Sequence, residues 1–166
     1  MLENITFIGM PGAGKSTVGH LLAKYLQFEF IDTDKLICQQ QQRTLQDIVN
    51  EDGYMQLCRF EEQAVLSIAA DKAVIATGGS TVYSTTAMQH LSSLSKIIYL
   101  SVPYKVIEDR IKNLDTRGLV KKPWQSLYDL YVERTELYEK YAEITVAADM
   151  TAELVAEGIM AVIARA

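Results

Sequence analysis

Gly9-Met10-Pro11-Gly12-Ala13-Gly14-Lys15-Ser16, directly after the apolar run Ile5-Thr6-Phe7-Ile8, decides how this chain is read. The stretch matches G-x-x-x-x-G-K-[ST] and stands in the order strand, glycine-rich loop, helix that a phosphate-cradling loop requires. The glycines let successive backbone N–H groups turn toward one centre, and the helix that follows adds the positive end of its dipole. At average residue frequencies the four fixed positions recur by chance in roughly one chain of this length in 200, so an ordinary glycine turn is a poor rival. Gly12, Ala13, Gly14, Lys15, Ser16 and Thr17 are therefore the expected nucleotide-phosphate contacts. Lys15 should reach the β- and γ-phosphates and the Ser16 hydroxyl should ligate Mg²⁺.

Working outward, apolar runs of strand length occur at Ile5 to Ile8, Phe28 to Ile31, Ala73 to Ala76, Ile97 to Leu100 and Ile144 to Ala147. Helical spacing lies between them. Val18, Leu21, Leu22, Tyr25 and Leu26 mark one helix, and Leu57, Glu61, Ala64, Val65 and Ile68 mark another, with a single polar position on its inner stripe. Trp124, Leu127, Tyr128 and Tyr131 begin a third. Strands alternating with helices imply an α/β fold whose parallel sheet carries helices on both faces, with the binding crevice at the strands' carboxyl ends. The 166 residues make one domain, 1–166, able to bury its own core. Gln39 to Gln42 reads as a solvated helix face. The polar connection 112–123, with Arg117-Gly118 and Lys121-Lys122-Pro123, reads equally as a mobile lid or a plain surface loop.

A net charge of −5, with no block of consecutive Lys and Arg, argues against electrostatic binding to nucleic acid or an anionic membrane. The expected partner is a small molecule. Cys38 and Cys58 offer no C-x-x-C spacing and no disulfide framework, which suits a reducing cytoplasm. With no basic-then-apolar leader and no apolar run of membrane-span length, the chain reads as soluble and cytoplasmic. Monomer is the default expectation, since no heptad repeat or long exposed apolar stripe argues otherwise.

Phe30-Ile31-Asp32-Thr33-Asp34 ends the second strand with carboxylates at i and i+2. On a strand these share a face, so one could hold the metal's water shell while the other accepts a proton from an attacking hydroxyl. Asp34 could equally cap the next helix, but beside a phosphate loop catalysis is the better reading. Thr77-Gly78-Gly79-Ser80 follows a buried strand with two glycines, which permit close backbone approach to a ligand or a tight turn. Among Arg110, Arg117 and Arg134, one could stack on the base, one neutralise the transferring phosphate and one bind an acidic substrate. Spacing does not choose among them.

Taken together, these pieces resemble the shikimate kinase family of small P-loop kinases, from about Ile5 to Ile163. The family's Asp-Ser-Asp appears as Asp32-Thr33-Asp34, which by resemblance makes Asp32 a water-mediated Mg²⁺ partner and Asp34 the substrate-hydroxyl contact and base. Thr-Gly-Gly-Gly appears as Thr77-Gly78-Gly79-Ser80, and the lid Arg-Pro-Leu as Arg117-Gly118-Leu119. Arg110 matches the arginine that lies against adenine, and Arg134, in Glu133-Arg134 followed by Leu137-Tyr138, the one that binds the shikimate carboxylate. The resemblance implies a five-stranded sheet in the order 2-3-1-4-5 and a kinase, dependent on ATP and Mg²⁺, acting on shikimate. Lys15, Asp34 and Arg117 would then be catalytic, and Asp34, Arg59, Gly78, Gly79 and Arg134 substrate-binding.

The chain departs from the family by three changes on the substrate side. Leu57-Cys58 stands where the family has Phe-Arg, Ser80 replaces a glycine, and Glu136 replaces a proline. Arg59 lies one residue on from the missing arginine, about 100° around a helix. With Glu62 it could form a rotated clamp or merely a surface pair. Two alternatives accompany the main reading: a kinase for another metabolite, such as a sugar acid or a nucleoside monophosphate, and a nucleotide-binding regulator without transfer activity.

Overall fold

The structure, a computed structural model, describes residues 4–112, 119 and 121–165. Five parallel strands form one sheet in the order β2-β3-β1-β4-β5, with β1 at Asn4–Ile8, β2 at Glu29–Asp32, β3 at Ala73–Ala76, β4 at Ser95–Ser101 and β5 at Ile144–Ala147. Phe7 of β1 pairs in register with Ala76 of β3 on one side and Ile98 of β4 on the other. Helices cover both faces of the sheet, which is why the central strands read as near-continuous apolar runs rather than alternating ones.

The expected strands are all present, with small differences at their ends. The first expected helix is α1, Lys15–Leu26, and the chain continues through α2, Thr33–Gln41, and α3, Leu45–Asp52, to α4, Tyr54–Leu66. α5, Thr85–Leu94, and α6, Tyr104–Ile111, precede α7, Leu127–Tyr141, and α8, Ala152–Ile163, closes the described elements. α1 packs with α8, and α4 with α5. A satellite core of Ile37, Ile48, Leu57 and Ala64 binds α2, α3 and α4 to one another beside the sheet. That cluster sets the face α4 turns toward the strand ends.

Two details differ from the sequence reading. Trp124 does not begin the third helix; it is 80 % exposed, and α7 starts only after Ser126. The Ser126 hydroxyl accepts from Asp129 N while the Asp129 carboxylate accepts from Ser126 N, a reciprocal cap that fixes the start more strongly than an isolated tryptophan can. The second concerns Gln42, which ends α2 in the left-handed region at φ 52°; Gln39, Gln40 and Gln42 are solvated as expected. Most of the 112–123 connection, residues 113–118 and 120, lies outside the described residues, and Arg117 with it.

β1 is the point where strand order reverses, with β3 and β2 to one side and β4 and β5 to the other. Chains leaving neighbouring strands there diverge and open a crevice at their carboxyl ends. The loops after β1 and β3 meet across it: Thr77 N and the Thr77 hydroxyl both donate to Phe7 O, at 3.2 and 2.9 Å.

Candidate active site

The loop from Gly9 to Gly14 joins β1 to α1, and Gly12 and Gly14 hold φ of 80° and 92°, a region that side chains rarely enter. Gly14 caps α1 without a side chain, leaving the first N–H groups of the helix facing the crevice. Lys15 is buried, and its ammonium donates to Gly9 O at 2.7 Å and Met10 O at 2.8 Å. Arg110, from α6, donates to Gly12 O at 2.9 Å, which holds it against the loop.

The Ser16 hydroxyl donates to Asp32 Oδ2 at 2.8 Å, while Asp32 Oδ1 accepts from Asp34 N at 3.0 Å and Lys35 N at 3.3 Å. Asp32 is thus the helix cap, a role the sequence offered to Asp34. Nor do the two carboxylates share a strand face: β2 ends at Asp32, and Asp34 already sits in the first turn of α2. The helical turn carries Asp34 onto the wall of a cavity of about 530 Å³. Gly12, Ala13, Gly14, Lys15, Ser16 and Thr17 line that cavity, as do Asp34, Gly78, Gly79, Arg110 and Arg134.

The glycine pair marks the tightest part of the wall. A Cβ on Gly78 would stand 2.4 Å from Glu61 Oε1 and 3.0 Å from Asp34 Oδ1; one on Gly79 would stand 2.7 Å from Pro11 Cδ and 2.8 Å from Arg134 Nη1. Close approach, not turn geometry, is what these glycines provide. Arg134 is 1 % exposed, far from the solvated surface usual for a helical arginine, and its Cζ sits 5.4 Å from the Tyr83 ring centroid. Its helix is anchored next door, where the Tyr138 hydroxyl donates to Gly79 O at 2.6 Å and the ring stacks on Tyr99.

Glu61 is the site residue that the sequence reading passed over. It is 5 % exposed, lines the cavity beneath Gly78, and accepts a short hydrogen bond from the Ser80 hydroxyl at Oε2. Burial pushes its carboxyl up to about 7; the Ser80 hydroxyl opposes this, Asp34 adds to it, and Arg134 and Lys15 work against it. The sequence did signal it, as a lone acid on the inner stripe of an otherwise apolar helix face.

Arg59 is not brought to this cavity. It is exposed and lines a separate cavity of about 410 Å³ with Tyr83 and Lys122, and among the described residues no ion pair joins it to Glu62. Glu62 instead accepts from the Ser84 hydroxyl at 2.5 Å. The reason is rotation: α4 turns Leu57 and Glu61 inward, and a residue between them along the chain points elsewhere. Glu61 and Ser80 border both cavities. Cys58, also on the second cavity, has its thiol pushed up to about 11, first by burial and then by Glu61. Ser80 therefore does add a side chain beside the pocket, whereas Glu136 is exposed on α7 and does not line it.

Among the described residues no group of three or more His, Cys, Asp and Glu side chains could hold a metal. Ser16 lines the cavity and its hydroxyl is bonded to Asp32 behind it, so the pair offers one hydroxyl and one carboxylate, a donor set that fits a hard cation keeping most of its own water. The glycine loop, with Lys15 at its centre and bare N–H groups at the start of α1, fits a nucleotide's phosphates. No helix among the described residues is long and apolar enough to cross a membrane.

Comparison with known proteins identifies the family. The shikimate kinase family pattern matches residues 11–164. The chain is 32 % identical over 149 residues to a shikimate kinase of Sulfurihydrogenibium sp. (strain YO3AOP1), covering 89 % of each. It is 31 % identical over 165 residues to shikimate kinase 2 of Yersinia pseudotuberculosis, covering 96 % of this chain and 95 % of the other. The structure of shikimate kinase from Acinetobacter baumannii in complex with shikimate superposes with a TM-score of 0.92 at 30 % identity, covering 99 % of this chain and 94 % of that one.

Proposed function

This chain belongs to the shikimate kinase family, and from that premise we propose that it transfers the γ-phosphoryl group of ATP to a hydroxyl of shikimate, yielding shikimate 3-phosphate. The observation that carries the reading is the meeting of Asp34, Arg134 and the Gly78-Gly79 backbone with the Lys15 loop in one cavity. A base, an anion clamp and a phosphate cradle in a shared space are what a carboxylic polyol and a nucleotide need in order to react.

In this mechanism Arg134, already charged and shielded from water, holds the acceptor's carboxylate. Asp34 aligns the acceptor hydroxyl and takes its proton as the oxygen attacks phosphorus. Lys15 neutralises oxygens of the transferring group, and the loop N–H groups orient the phosphate chain. Ser16 and Asp32 would hold Mg²⁺, which supplies charge neutralisation on the phosphates when bound. Arg110 would lie against the base and Arg117 would add a second cation beside the transferring phosphate. Catalysis on this scheme is positioning and electrostatics, since a loose phosphoryl transition state asks little else of the protein.

An ADP-release assay with ATP and Mg²⁺ tests the proposal, comparing shikimate, no acceptor, and a panel of sugar acids and nucleoside monophosphates. Shikimate-dependent release is expected. Release driven by a different acceptor would reassign the substrate, and ATP binding without release for any acceptor would leave a nucleotide-binding regulator.

A further inference from the structure

The acceptor pocket holds one more carboxylate than the transfer uses. Asp34 has a role at the acceptor hydroxyl; Glu61 has none, yet it is the more deeply buried of the two. Its Oε1 lies beneath Gly78 and its Oε2 takes the Ser80 hydroxyl. The ionisable groups facing it are Lys15 from α1, Asp34 from α2, Cys58 one turn back on α4, and Arg134 from α7, with Tyr83 beyond Arg134. α3 meets α4 through apolar Leu45 and Ile48, and α5 packs on it with Ala87, Met88 and Leu91 in the common core. Among the described residues no ion pair is made to Glu61.

An acceptor carboxylate entering beside Arg134 would make a third negative charge in a space that already has Asp34 and Glu61, while Lys15 is committed to phosphate. Like charges that cannot all be solvated shed one by protonation. We propose that Glu61 reads the charge of the acceptor: an anionic acceptor binds together with one proton, taken from solvent onto the Glu61 carboxyl, so that this residue tunes the pocket for acids and sets the pH range over which it accepts them. The step is one proton transfer: an O–H or N–H bond breaks in hydronium or the buffer acid, an O–H bond forms on the Glu61 carboxyl at Oε1, and Oε2 goes on accepting from the Ser80 hydroxyl. The inference rests on the reading that the acceptor is a carboxylic acid. The burial that lifts the Glu61 carboxyl to about 7 puts the bend in an accessible range.

The consequence is a split between KM and kcat. Below the bend Glu61 already carries its proton and KM for the acceptor is level; above it, KM should rise by up to about tenfold per pH unit, the limit for uptake of one proton. The Ser80 hydroxyl stabilises the charged carboxylate, so Ser80→Ala should move the bend to higher pH.

The test measures shikimate KM and kcat from about pH 6 to about pH 9 for the native chain, Glu61→Gln and Ser80→Ala. Calorimetry of shikimate binding at about pH 8, in two buffers of different ionisation enthalpy, accompanies it. Expected are a rising KM and proton uptake approaching one in the native chain, loss of both in Glu61→Gln, and the displaced bend in Ser80→Ala. The Ser80→Ala arm stands by itself should Glu61→Gln not fold. A flat native KM with turnover intact, or a rise that persists in Glu61→Gln, overturns the inference alone. Absence of shikimate turnover at every pH overturns the proposed reaction, and this inference with it.

Discussion

Cys58→Arg places on α4 the cation that the family has at this position, and its effect can be worked from the surroundings of the thiol. Cys58 is half-buried, lies three residues before Glu61 on α4, and feels both Glu61 and Arg134. The adjoining cavity of about 410 Å³ leaves room for the longer stem. A guanidinium there would pair with Glu61 at i, i+3 and present its other edge toward the Arg134 side of the pocket. A hydrogen bond to a charged group is worth about 1.5–3 kcal/mol, and burying the new cation takes back part of it. The net expectation is about 1.4 kcal/mol, or roughly a tenfold lower KM for shikimate. Because the new cation also holds Glu61 ionised, the rise of KM with pH should flatten. Steady-state ADP release across a shikimate series reads both effects. An unchanged or higher KM, in a variant that binds ATP normally, would refute the idea that the missing cation weakens the acceptor clamp.

Asp34→Asn should lower kcat by about 10²–10⁴-fold, the usual contribution of a positioned base, while ATP affinity measured by direct binding stays near native; a matching loss of ATP binding would remove Asp34 from the acceptor side. Tyr138→Phe removes the 2.6 Å donor to Gly79 O and should cost about 1 kcal/mol of stability, read from the denaturant midpoint, and no loss would mean that stacking on Tyr99 alone holds the ring. Glu61 also links stability to pH. Its carboxyl lies near 7 when folded against an ordinary 4.5, so the folded state binds more protons in between and stability should fall by a few kcal/mol as pH rises from about 4.5 to 7, then level off. Denaturation midpoints at several pH values should show that decline in the native chain and a smaller one in Glu61→Gln, and equal slopes would argue that Glu61 is not the group responsible.

Much of the architecture was legible because local patterns dominate it. Parallel strands buried on both faces must be apolar along their whole length, so their runs stood out without an alignment. The helix start at Ser126 was legible in principle from its Ser-x-x-Asp spacing, and aromatic content at Trp124 misled because helical periodicity says nothing about a first turn. The aspartate pair shows a sharper limit. Spacing of i, i+2 means a shared face only while the strand lasts, and this strand yields to a helix at Thr33.

By itself the sequence determined the phosphate loop, the α/β alternation and the identity of Asp34 and Arg134 as candidates, since each depends on residues close in the chain or on a family pattern. Only the tertiary structure decided which polar groups share the cavity beside the phosphate loop. Glu61 and Ser80 are separated by 19 positions yet bonded, and Gly79 lies against Pro11 and Arg134 from distant elements. Meanwhile Arg59, beside the right segment, is turned away. Burial and charge coupling act through space, so a carboxylate's surroundings, and with them its protonation, emerge only when α4 is packed against the ends of β1 and β3.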